Sequence, residues 1–396
     1  MNRERPIPQI ALIDLGAQHA AIRGELQDAI DRVLAGNRFV LGPEVDGFEG
    51  ELAAYCEVPF AVSCNSGSDA LLLALMALGI GPGDEVICPA YSFFATASSV
   101  SRLGARPVFA DIDPATYNLS VAAVREAAAG CTRLRAVMPV DLFGLPCEVS
   151  DFVELCDELG VPFVEDAAQA IGARDAQGQV AGSRADVGCF SLYPTKNLGA
   201  LGDGGAIITR DRELAERIAA LRVHGASNHR YTHDVIGINS RLDALQAAVL
   251  RVKLRHLDSW TKRRRENAAY LDARLLAAGA ASSDVPVSEA DLPLCIPLTA
   301  PPGGRHVYHQ YVVRVSRQLR DDLRHALAEN GIGSAIYYPL GLHEQPCFEA
   351  LGYQRGQLPE TEAATCESLA LPIYPELSTG QLDAIAETLV GFLRRQ

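Results

Sequence analysis

The sequence predicts an α/β fold: a large domain with a mostly parallel seven-stranded sheet, followed by a smaller C-terminal α+β domain. Seven short apolar runs, each bounded by Gly, Pro or Asp, have the length and composition of buried strands. Helical segments, such as those at 68–78 and 149–159, lie between several of these runs. Buried strands that alternate with helices are typical of a parallel sheet with helices on its faces.

The expected elements follow a simple order. An N-terminal helix near 17–35 precedes the strands, and a long helical, charge-rich stretch at 241–277 follows them. We place the domain boundary inside or beside this stretch, with 1–255 as the large domain and 256–396 as the small one. The strands are expected at 61–65, 85–89, 107–112, 136–141, 162–166, 186–192, 205–209 and, in the small domain, 311–315, where helices are expected at 320–330 and 379–394.

Composition and charge narrow the class of protein. The 396 residues are 48% hydrophobic and 21% charged, as in ordinary soluble globular proteins. The net charge of −14 argues against nucleic acid as a partner, because phosphate backbones bind concentrated basic surface. No apolar run has the length of a membrane span, and the first residues lack the apolar stretch of a signal peptide. We therefore expect a cytoplasmic protein without a membrane partner.

Cysteine and lysine are used in an informative way. The ten cysteines are scattered without a CxxC pair, so they predict small buried hydrophobes rather than disulfides or a metal site. Among the 35 basic residues only three are lysines, Lys196, Lys253 and Lys262. Genomic base composition is one explanation. Few side chains can therefore serve as an amine nucleophile, because arginine does not lose its proton.

The first candidate site is the run NSGSDA at 65–70, which joins a predicted strand to an apolar helix. Small residues at a helix start expose backbone N–H groups, and the helix dipole favours an anion there. The run therefore indicates a phosphate site. The structural alternative is that Ser68 or Asp69 simply caps the helix.

The second candidate site is the acidic end of the strand at 162–166. Strand ends in α/β sheets open into the crevice where ligands bind, which makes Glu165 and Asp166 candidate site residues. An acid at this place suits a protonated pyridine nitrogen, whose charge makes the ring a stronger electron sink. A helix cap or an ion pair is the structural alternative.

The third candidate site surrounds Lys196, in the run SLYPTKNLG at 191–199. The setting is neutral and glycine-rich, with no acid before Asp203. Reduced solvation would lower the pKa of the amine and favour the neutral form that imine chemistry needs. Ser191 offers a hydroxyl to a phosphate. An ordinary solvated lysine is the structural alternative.

Together these three sites resemble a known arrangement. A phosphate site, a strand-end acid and a lysine thirty residues later occur in this order in the fold-type-I enzymes that use pyridoxal 5'-phosphate (PLP). From about residue 10 to the C-terminus, the chain resembles the StrS/DegT family of sugar aminotransferases. The resemblance is carried by the runs NSGSDALLLAL, GPGDEVICPAYSFFATASSV, PVDLFG, VEDAAQAIGA, FSLYPTKNLGALGDGGAIIT, GINSRLDALQAAVL and YYPLGLHEQPCF.

The resemblance implies roles around the cofactor ring. Lys196 resembles the Schiff-base lysine, and Asp166 resembles the acid paired with the pyridine nitrogen. Gln169 resembles the amide that hydrogen-bonds the cofactor's phenolic oxygen. Phe93 matches the aromatic residue that stacks on the ring, although Phe93 and Phe94 would otherwise be assigned to the core.

The resemblance also implies how the phosphate is held. Gly67, Ser68 and Ser191 match the residues of the phosphate cup. Asn239, in the run GINSR, resembles an asparagine that reaches the phosphate of the neighbouring subunit's cofactor. The expected assembly is therefore a homodimer with shared active sites.

Four further residues, Tyr193, His309, Tyr337 and His343, are candidates for contact with the substrate. For these histidines, and for His224, a structural role is the alternative, because lone histidines near aromatic sequence more often pack than bind. The tyrosine pair beginning at Tyr337 is assigned to a sugar pocket on the same terms.

The implied activity is transfer of an amino group from a donor, expected to be glutamate, to a keto-sugar nucleotide. The motif PTKNLGALGDGG is most familiar from enzymes that act at C3, so we expect a dTDP- or UDP-linked 3-keto hexose. A C4-keto sugar or a keto-cyclitol is an alternative substrate. A PLP-binding regulator without turnover and a cofactor-free α/β binding protein are the non-enzymatic candidates. A 3-dehydratase of this fold is disfavoured, because those enzymes carry histidine at the Lys196 position.

Overall fold

The computed structural model describes residues 10–226 and 231–396. Its strands are β1 Phe60–Cys64, β2 Glu85–Pro89, β3 Arg106–Ala110, β4 Leu134–Val137, β5 Val164–Asp166, β6 Val187–Ser191, β7 Gly205–Thr209, β8 Ala281–Ser282, β9 Leu294–Ile296, β10 Tyr311–Val315 and β11 Ser368–Leu371. Its α-helices are α1 Leu15–Ala21, α2 Arg23–Gly36, α3 Pro43–Tyr55, α4 Gly67–Ala77, α5 Ala95–Arg102, α6 Val121–Ala129, α7 Val149–Leu159, α8 Arg212–Leu221, α9 Ala244–Leu254, α10 Leu257–Ala277, α11 Arg320–Glu329, α12 Pro359–Glu367 and α13 Thr379–Leu393.

The first seven strands form the large sheet. One part has the order β3-β2-β4 and the other β1-β7-β6-β5, and parallel bridges from Val137 to Phe163 and from Val140 to Asp166 join β4 to β5. Only β7 runs antiparallel to its neighbours β1 and β6. The prediction of a mostly parallel seven-stranded sheet is therefore confirmed. Because β5 and β6 are parallel, their C-terminal ends, Asp166 and Ser191, meet at the same edge.

Helix α4 explains the local structure of the first motif. It is apolar on nearly all sides and packs against strands β6 and β7 and helices α5 and α8, as a helix without a polar face must. The side chain of Ser66 caps it by accepting a hydrogen bond from the Asp69 N–H at 3.1 Å. The capping residue is thus Ser66, not Ser68 or Asp69 as in the structural alternative, so Ser68 lies in the first turn.

Two predicted helices are in fact divided. The helix near 17–35 consists of α1 and α2, which meet at Ile22. The stretch at 241–277 consists of α9 and α10, which are separated at Arg255 and His256. Helix α9 packs against α2 and α3, whereas α10 packs against α13 and β9, so the two helices follow different surfaces. The division of the chain at 255/256 stays a prediction.

The C-terminal part is built on the smaller sheet, in the order β11-β10-β9-β8, against which α11 and α13 pack. The N-terminal segment joins this part of the chain. The Ile10 N–H donates to the Gly331 carbonyl at 2.8 Å, and the Gly333 N–H donates to the Ile10 carbonyl at 2.8 Å. Among the described residues, no helix has the length and apolar character needed to cross a membrane.

Candidate active site

A cavity of about 570 Å³ opens where the C-terminal ends of β5 and β6 meet the start of α4. Its wall combines strand ends, the loop that follows β6, and two segments of the C-terminal part of the chain. The residues that line it are Ser66, Gly67, Ser68, Leu71, Ser92, Phe93, Ala95, Val140, Asp166, Ala168, Gln169, Ser191, Tyr193, Thr195, Lys196, Asp203, Gly204, His309, Gln310, Tyr337 and Tyr338.

The start of α4 and the end of β6 form one end of the cavity. The two elements approach so closely that a Cβ on Gly67 would lie 2.6 Å from the Cβ of Ser191. A Cβ on Gly205 would lie 2.2 Å from the Ser66 carbonyl oxygen. Only glycine fits at either position. The result is a helix N-terminus, with its favourable dipole for anions, beside the Ser191 hydroxyl.

Asp166 lies in the floor of the cavity, at the end of β5, and is 3% exposed. The Thr96 hydroxyl donates to its Oδ2 at 2.9 Å, and the Ala168 N–H donates to its Oδ1 at 3.3 Å. Burial raises the pKa of Asp166, while these two hydrogen bonds and the Lys196 ammonium oppose the shift. The carboxyl group is thus held in one orientation by neighbours on α5 and on its own loop.

Lys196 is partly buried in the loop after β6. Loss of solvent lowers the pKa of its amine to about 8, although the Asp166 carboxylate acts in the opposite direction. The loop is tightly folded, because a Cβ on Gly199 would lie 2.3 Å from the Pro194 carbonyl oxygen. The fully buried Lys253 donates from Nζ to the Gly199 carbonyl at 2.7 Å. Lys253, which lies in α9, therefore connects this loop to the helix through a hydrogen bond.

Gln169 and Tyr338 form the opposite wall. Gln169 Oε1 accepts a hydrogen bond from the Phe143 N–H at 2.7 Å, and its Nε2 donates to the Tyr338 hydroxyl at 3.2 Å. The Tyr338 N–H donates to the hydroxyl of Tyr91 at 3.0 Å. Phe93 stands near the same wall, with its ring centroid 6.3 Å from that of Tyr338, and is 57% exposed.

The remaining cavity residues include three of the candidates for substrate contact. Tyr193 is exposed and Tyr337 is partly buried, and both line the cavity. His309 lines it from below, with Nδ1 at 3.2 Å from Asn197 Oδ1, and Asn197 donates to the Val307 carbonyl at 3.0 Å. Burial holds the pKa of His309 well below its usual range, so its ring is neutral.

Three predicted candidates lie outside this cavity. His343 is buried 3.8 Å from Glu362, beside Tyr353, and His224 precedes the undescribed segment 227–230. Asn239 is exposed and bridges to Val223. The structure thus brings together Gly67, Ser68, Phe93, Asp166, Gln169, Ser191, Tyr193, Lys196, His309 and Tyr337, but not His224, Asn239 or His343.

Three residues that hold the candidates in place were not predicted from the sequence. Thr96 binds Asp166, Asn197 binds His309, and Tyr338 binds Gln169. Thr96 lies in the same short run as Phe93, and Asn197 directly follows Lys196, so proximity to a motif was a usable signal. The pairing partners were not visible, because they are set by the fold.

Known proteins share this architecture. The chain matches the DegT/DnrJ/EryC1/StrS aminotransferase family over residues 20–390. It is 44% identical to a pleiotropic regulatory protein of Geobacillus stearothermophilus, over 97% of this chain and 99% of the relative. It is 43% identical to dTDP-3-amino-3,4,6-trideoxy-alpha-D-glucose transaminase of Streptomyces venezuelae, over 98% of each chain. It is 42% identical to UDP-N-acetyl-3-dehydro-alpha-D-glucosamine 3-aminotransferase of Acidithiobacillus ferrooxidans, over 96% of this chain and 97% of the relative.

Solved structures give the same result. The crystal structure of DesV from S. venezuelae in complex with a ketimine intermediate has a TM-score of 0.90 and 42% identity, over 98% of this chain and 100% of that one. NtdA from Bacillus subtilis, with bound cofactor PMP, has a TM-score of 0.87 and 28% identity, over 99% of this chain and 86% of that one. The fold is therefore that of the fold-type-I transferases. The chain belongs to the DegT/DnrJ/EryC1/StrS aminotransferase family, which confirms the resemblance and the prediction of an aminotransferase.

Proposed function

We propose that this enzyme binds PLP in the cavity and transfers an amino group from glutamate to C3 of a dTDP- or UDP-linked keto-hexose. The observation that carries the proposal is the placement of Lys196, Asp166 and Gln169 on one cavity, beside the N-terminus of helix α4. An amine, an acid and an amide are the three groups that the family resemblance assigns to the cofactor ring.

The residues present fit this cofactor. The helix start at Gly67 and Ser68, with the Ser191 hydroxyl, suits the phosphate. Asp166 lies deep in the cavity, where its carboxylate would face the ring nitrogen. Phe93 offers an aromatic face that is more than half exposed, which a stacked ring would cover.

The chemistry divides between the cofactor and the chain. When bound, PLP links covalently to an amine and withdraws electrons from the carbon next to that nitrogen. Lys196 Nζ, with its pKa of about 8, removes the proton from the α-carbon of the donor and later returns a proton to the sugar carbon. Thr96 holds the Asp166 carboxylate in place during both steps.

The substrate class rests on the relatives and on the outer part of the cavity. Two relatives more than 40% identical over nearly the whole chain are named for amination at position 3 of nucleotide-linked sugars. The cavity lining also combines the aromatic rings of Tyr193 and Tyr337 with the polar Gln310. Such a mixture is typical of small-molecule sites.

The test is a comparison of substrates. Glutamate alone should convert the bound cofactor and release 2-oxoglutarate once per site, and addition of a dTDP- or UDP-linked 3-keto hexose should yield the amino sugar. Turnover of only the C4-keto sugar or a keto-cyclitol would contradict the proposed substrate. A protein that takes up PLP but aminates no keto sugar with glutamate or with any other amino-acid donor would instead be a regulator, the role in the name of the G. stearothermophilus relative.

We also propose a homodimer with shared active sites. Among the described residues that line the cavity, Lys196 is the single cationic side chain, because His309 is neutral. A substrate with a diphosphate and a donor with two carboxylates both need cationic partners, and one lysine does not supply enough of them. Cationic side chains from a second subunit would complete the site. The exposed apolar residues Val235 and Ile236 precede Asn239 and give a second subunit a surface to cover.

Asn239 is the residue that we propose each subunit contributes to its partner's active site. Its neighbour Ser240 is tied to its own subunit, since it accepts from the Asn65 N–H at 3.1 Å and donates to Asp69 at 2.8 Å. Asn239 itself is exposed and does not line its own cavity. A self-complementary dimer would bring it to the partner's phosphate end.

Mixing subunits tests this arrangement. When Lys196→Ala and Asn239→Ala subunits exchange, a mixed dimer with contact in trans has one doubly altered site and one intact site. Activity per mole of intact lysine should therefore exceed that of the Asn239→Ala homodimer. If Asn239 acts within its own subunit, every mixed site carries one lesion. Proven exchange without rescue, despite a measurable Asn239→Ala defect, would then contradict the shared site.

A further inference from the structure

Two completely buried carboxyl groups lie directly behind the cavity. Asp141 follows β4 and Glu165 lies within β5, and neither side chain is exposed. Neither residue lines the cavity. A carboxylate in such a place is costly unless it is paired, so two of them require an explanation.

Each carboxyl group uses one oxygen to accept a backbone hydrogen bond. The Cys147 N–H donates to Asp141 Oδ1 at 2.8 Å, and the Gly182 N–H donates to Glu165 Oε1 at 2.6 Å. The other oxygens, Asp141 Oδ2 and Glu165 Oε2, have no such partner. Single ligand atoms of Asp141, Glu165 and Cys147 all lie within 4.8 Å of one another.

We infer that Asp141 and Glu165 share one proton between their free oxygens, and that this carboxyl pair positions Asp166 and Gln169. One proton turns two buried acceptors into a donor and an acceptor, and it leaves a single negative charge spread over the pair. The outer oxygens keep their backbone donors. All four carboxyl oxygens are then satisfied without any further group.

The electrostatics agree with this arrangement. Burial, followed by the charge of Asp141, raises the pKa of Glu165 well above its usual range. Burial also raises the pKa of Asp141, although its hydrogen bond with Glu165 opposes the shift. The other titratable groups that act on the pair are Cys147, Asp166 and Asp175. Burial also raises the pKa of the Cys147 thiol well above its usual range, so this thiol stays protonated.

The pair is connected to the cavity through the backbone. The Asp141 N–H donates to the Asp166 carbonyl at 3.1 Å. Asp141 directly precedes a short helical turn at Leu142–Gly144. Within this turn, the Phe143 N–H donates to Gln169 Oε1 at 2.7 Å. Asp141 and Glu165 are therefore positioning residues, and their effect on the cofactor rests on the function proposed above. The shared proton itself does not depend on that function.

A metal ion is the competing occupant, because a thiol and two carboxyl groups are potential ligands. A metal would require both carboxyl groups in the ionised form and would favour the thiolate. A shared proton needs only one ionised carboxyl group and leaves the thiol protonated. It therefore fits a pair that has no access to solvent. The two occupants predict opposite behaviour for amide variants.

Amide variants test the pair by counting hydrogens. The two positions now occupied by Asp141 Oδ2 and Glu165 Oε2 need one hydrogen-bond donor and one acceptor between them. In Glu165→Gln, the new NH₂ donates to Asp141, and in Asp141→Asn, the new NH₂ donates to Glu165. In the double variant two NH₂ groups face each other, or one turns its NH₂ towards a backbone N–H. Both single variants should therefore bind PLP almost normally, and the double variant should fail.

The expected readouts are the dissociation constant for PLP and the thermal midpoint of the apo-protein. We expect changes within about threefold in PLP affinity for each single variant. The double variant should lose about ten- to a hundredfold more than the singles combined, the range for one buried unsatisfied donor. Failure of the double variant to fold, with both singles folded, is the same non-additivity in a stronger form. Additive effects would overturn the shared proton.

Proton linkage gives a second measurement, made without cofactor. Because the pKa of Glu165 is raised in the folded protein, the wild type takes up a proton on folding above the usual carboxyl range. Its free energy of unfolding should therefore fall as pH rises through this window. In Glu165→Gln the number of protons released on unfolding, which the slope of this pH dependence measures, should be smaller by about one. An unchanged pH dependence would contradict the inference.

Cys147→Ala is the matched control, because it removes the thiol and leaves the pair. This variant should keep the affinity for PLP and the proton uptake linked to Glu165, although loss of the thiol that hydrogen-bonds Asp141 raises the pKa of that carboxyl group. A metal bound at one per chain in the purified enzyme, and lost in Cys147→Ala and Glu165→Gln, would overturn the inference. If the apo-protein shows the expected linkage but the loaded enzyme has no aminotransferase activity, the proposed function fails and the carboxyl pair stands.

Discussion

Lys196→Ala enzyme is expected to lose aminotransfer completely while it keeps its fold. The other two lysines cannot replace it: Lys253 is fully buried and donates to the Gly199 carbonyl, and Lys262 is exposed 3.9 Å from Glu266. The measurement is borohydride reduction in the presence of PLP, followed by mass spectrometry of the peptide around position 196. The wild type should carry one reduced adduct on Lys196, and the variant none.

Two further variants sharpen this prediction. Lys196→Arg should be as inactive as Lys196→Ala, because a guanidinium group stays protonated and cannot form the covalent link. Lys262→Ala should retain activity and adduct, since Lys262 lies on α10, away from the cavity. A reducible adduct in Lys196→Ala, at the yield of the wild type, would remove Lys196 from its assigned role.

The pKa of Lys196 gives the same residue a pH signature. The neutral amine is the nucleophile, and its fraction increases as pH rises through about 8. The rate at which apo-enzyme captures PLP should therefore rise with pH through that region and then level off. A rate that continues to rise up to the pH at which an ordinary lysine loses its proton would show that burial does not lower the pKa of this amine.

The large sheet was predictable because its strands are short buried runs with clear boundaries. The predicted strands at 85–89 and 205–209 coincide with β2 and β7. In the C-terminal part, β10 was predicted, but β8, β9 and β11 were not. These strands have two to four residues, and β11 pairs with β10 across more than fifty positions. Periodicity carries little information in such short segments.

The candidate site was predictable to a similar extent. Residues that a motif names, such as Asp166 and Lys196, do line one cavity. His343 shows where proximity in sequence misleads. It follows Tyr337 by six positions, but the chain turns at Gly341 and buries the ring against Glu362. The carboxyl pair was also hidden, because Asp141 and Glu165 meet only when β4 and β5 lie side by side.

Asp166→Asn should slow the proton-transfer step by about a hundredfold or more, a loss on the order of 3 kcal/mol in transition-state stabilisation. The amide keeps the shape of the side chain, and Thr96 can still donate to its oxygen. What it removes is the negative charge that would face the ring nitrogen of the cofactor and keep it protonated. Without that proton the ring withdraws electrons less strongly, so the donor's α-carbon becomes a weaker acid.

The prediction is specific to the chemical step, so it requires single-turnover measurements with glutamate. The rate of conversion of the bound cofactor should fall in Asp166→Asn, whereas the covalent link to Lys196 should persist, because its amine is unaltered. Thr96→Ser is the matched control: it retains the hydroxyl that donates to Asp166 at 2.9 Å and should retain most of the rate. Near-normal single-turnover rates in Asp166→Asn would mean that the charge at this position does not assist the reaction. Asp166 would then be a structural acid, held by Thr96 and the Ala168 N–H for the sake of the β5 terminus alone.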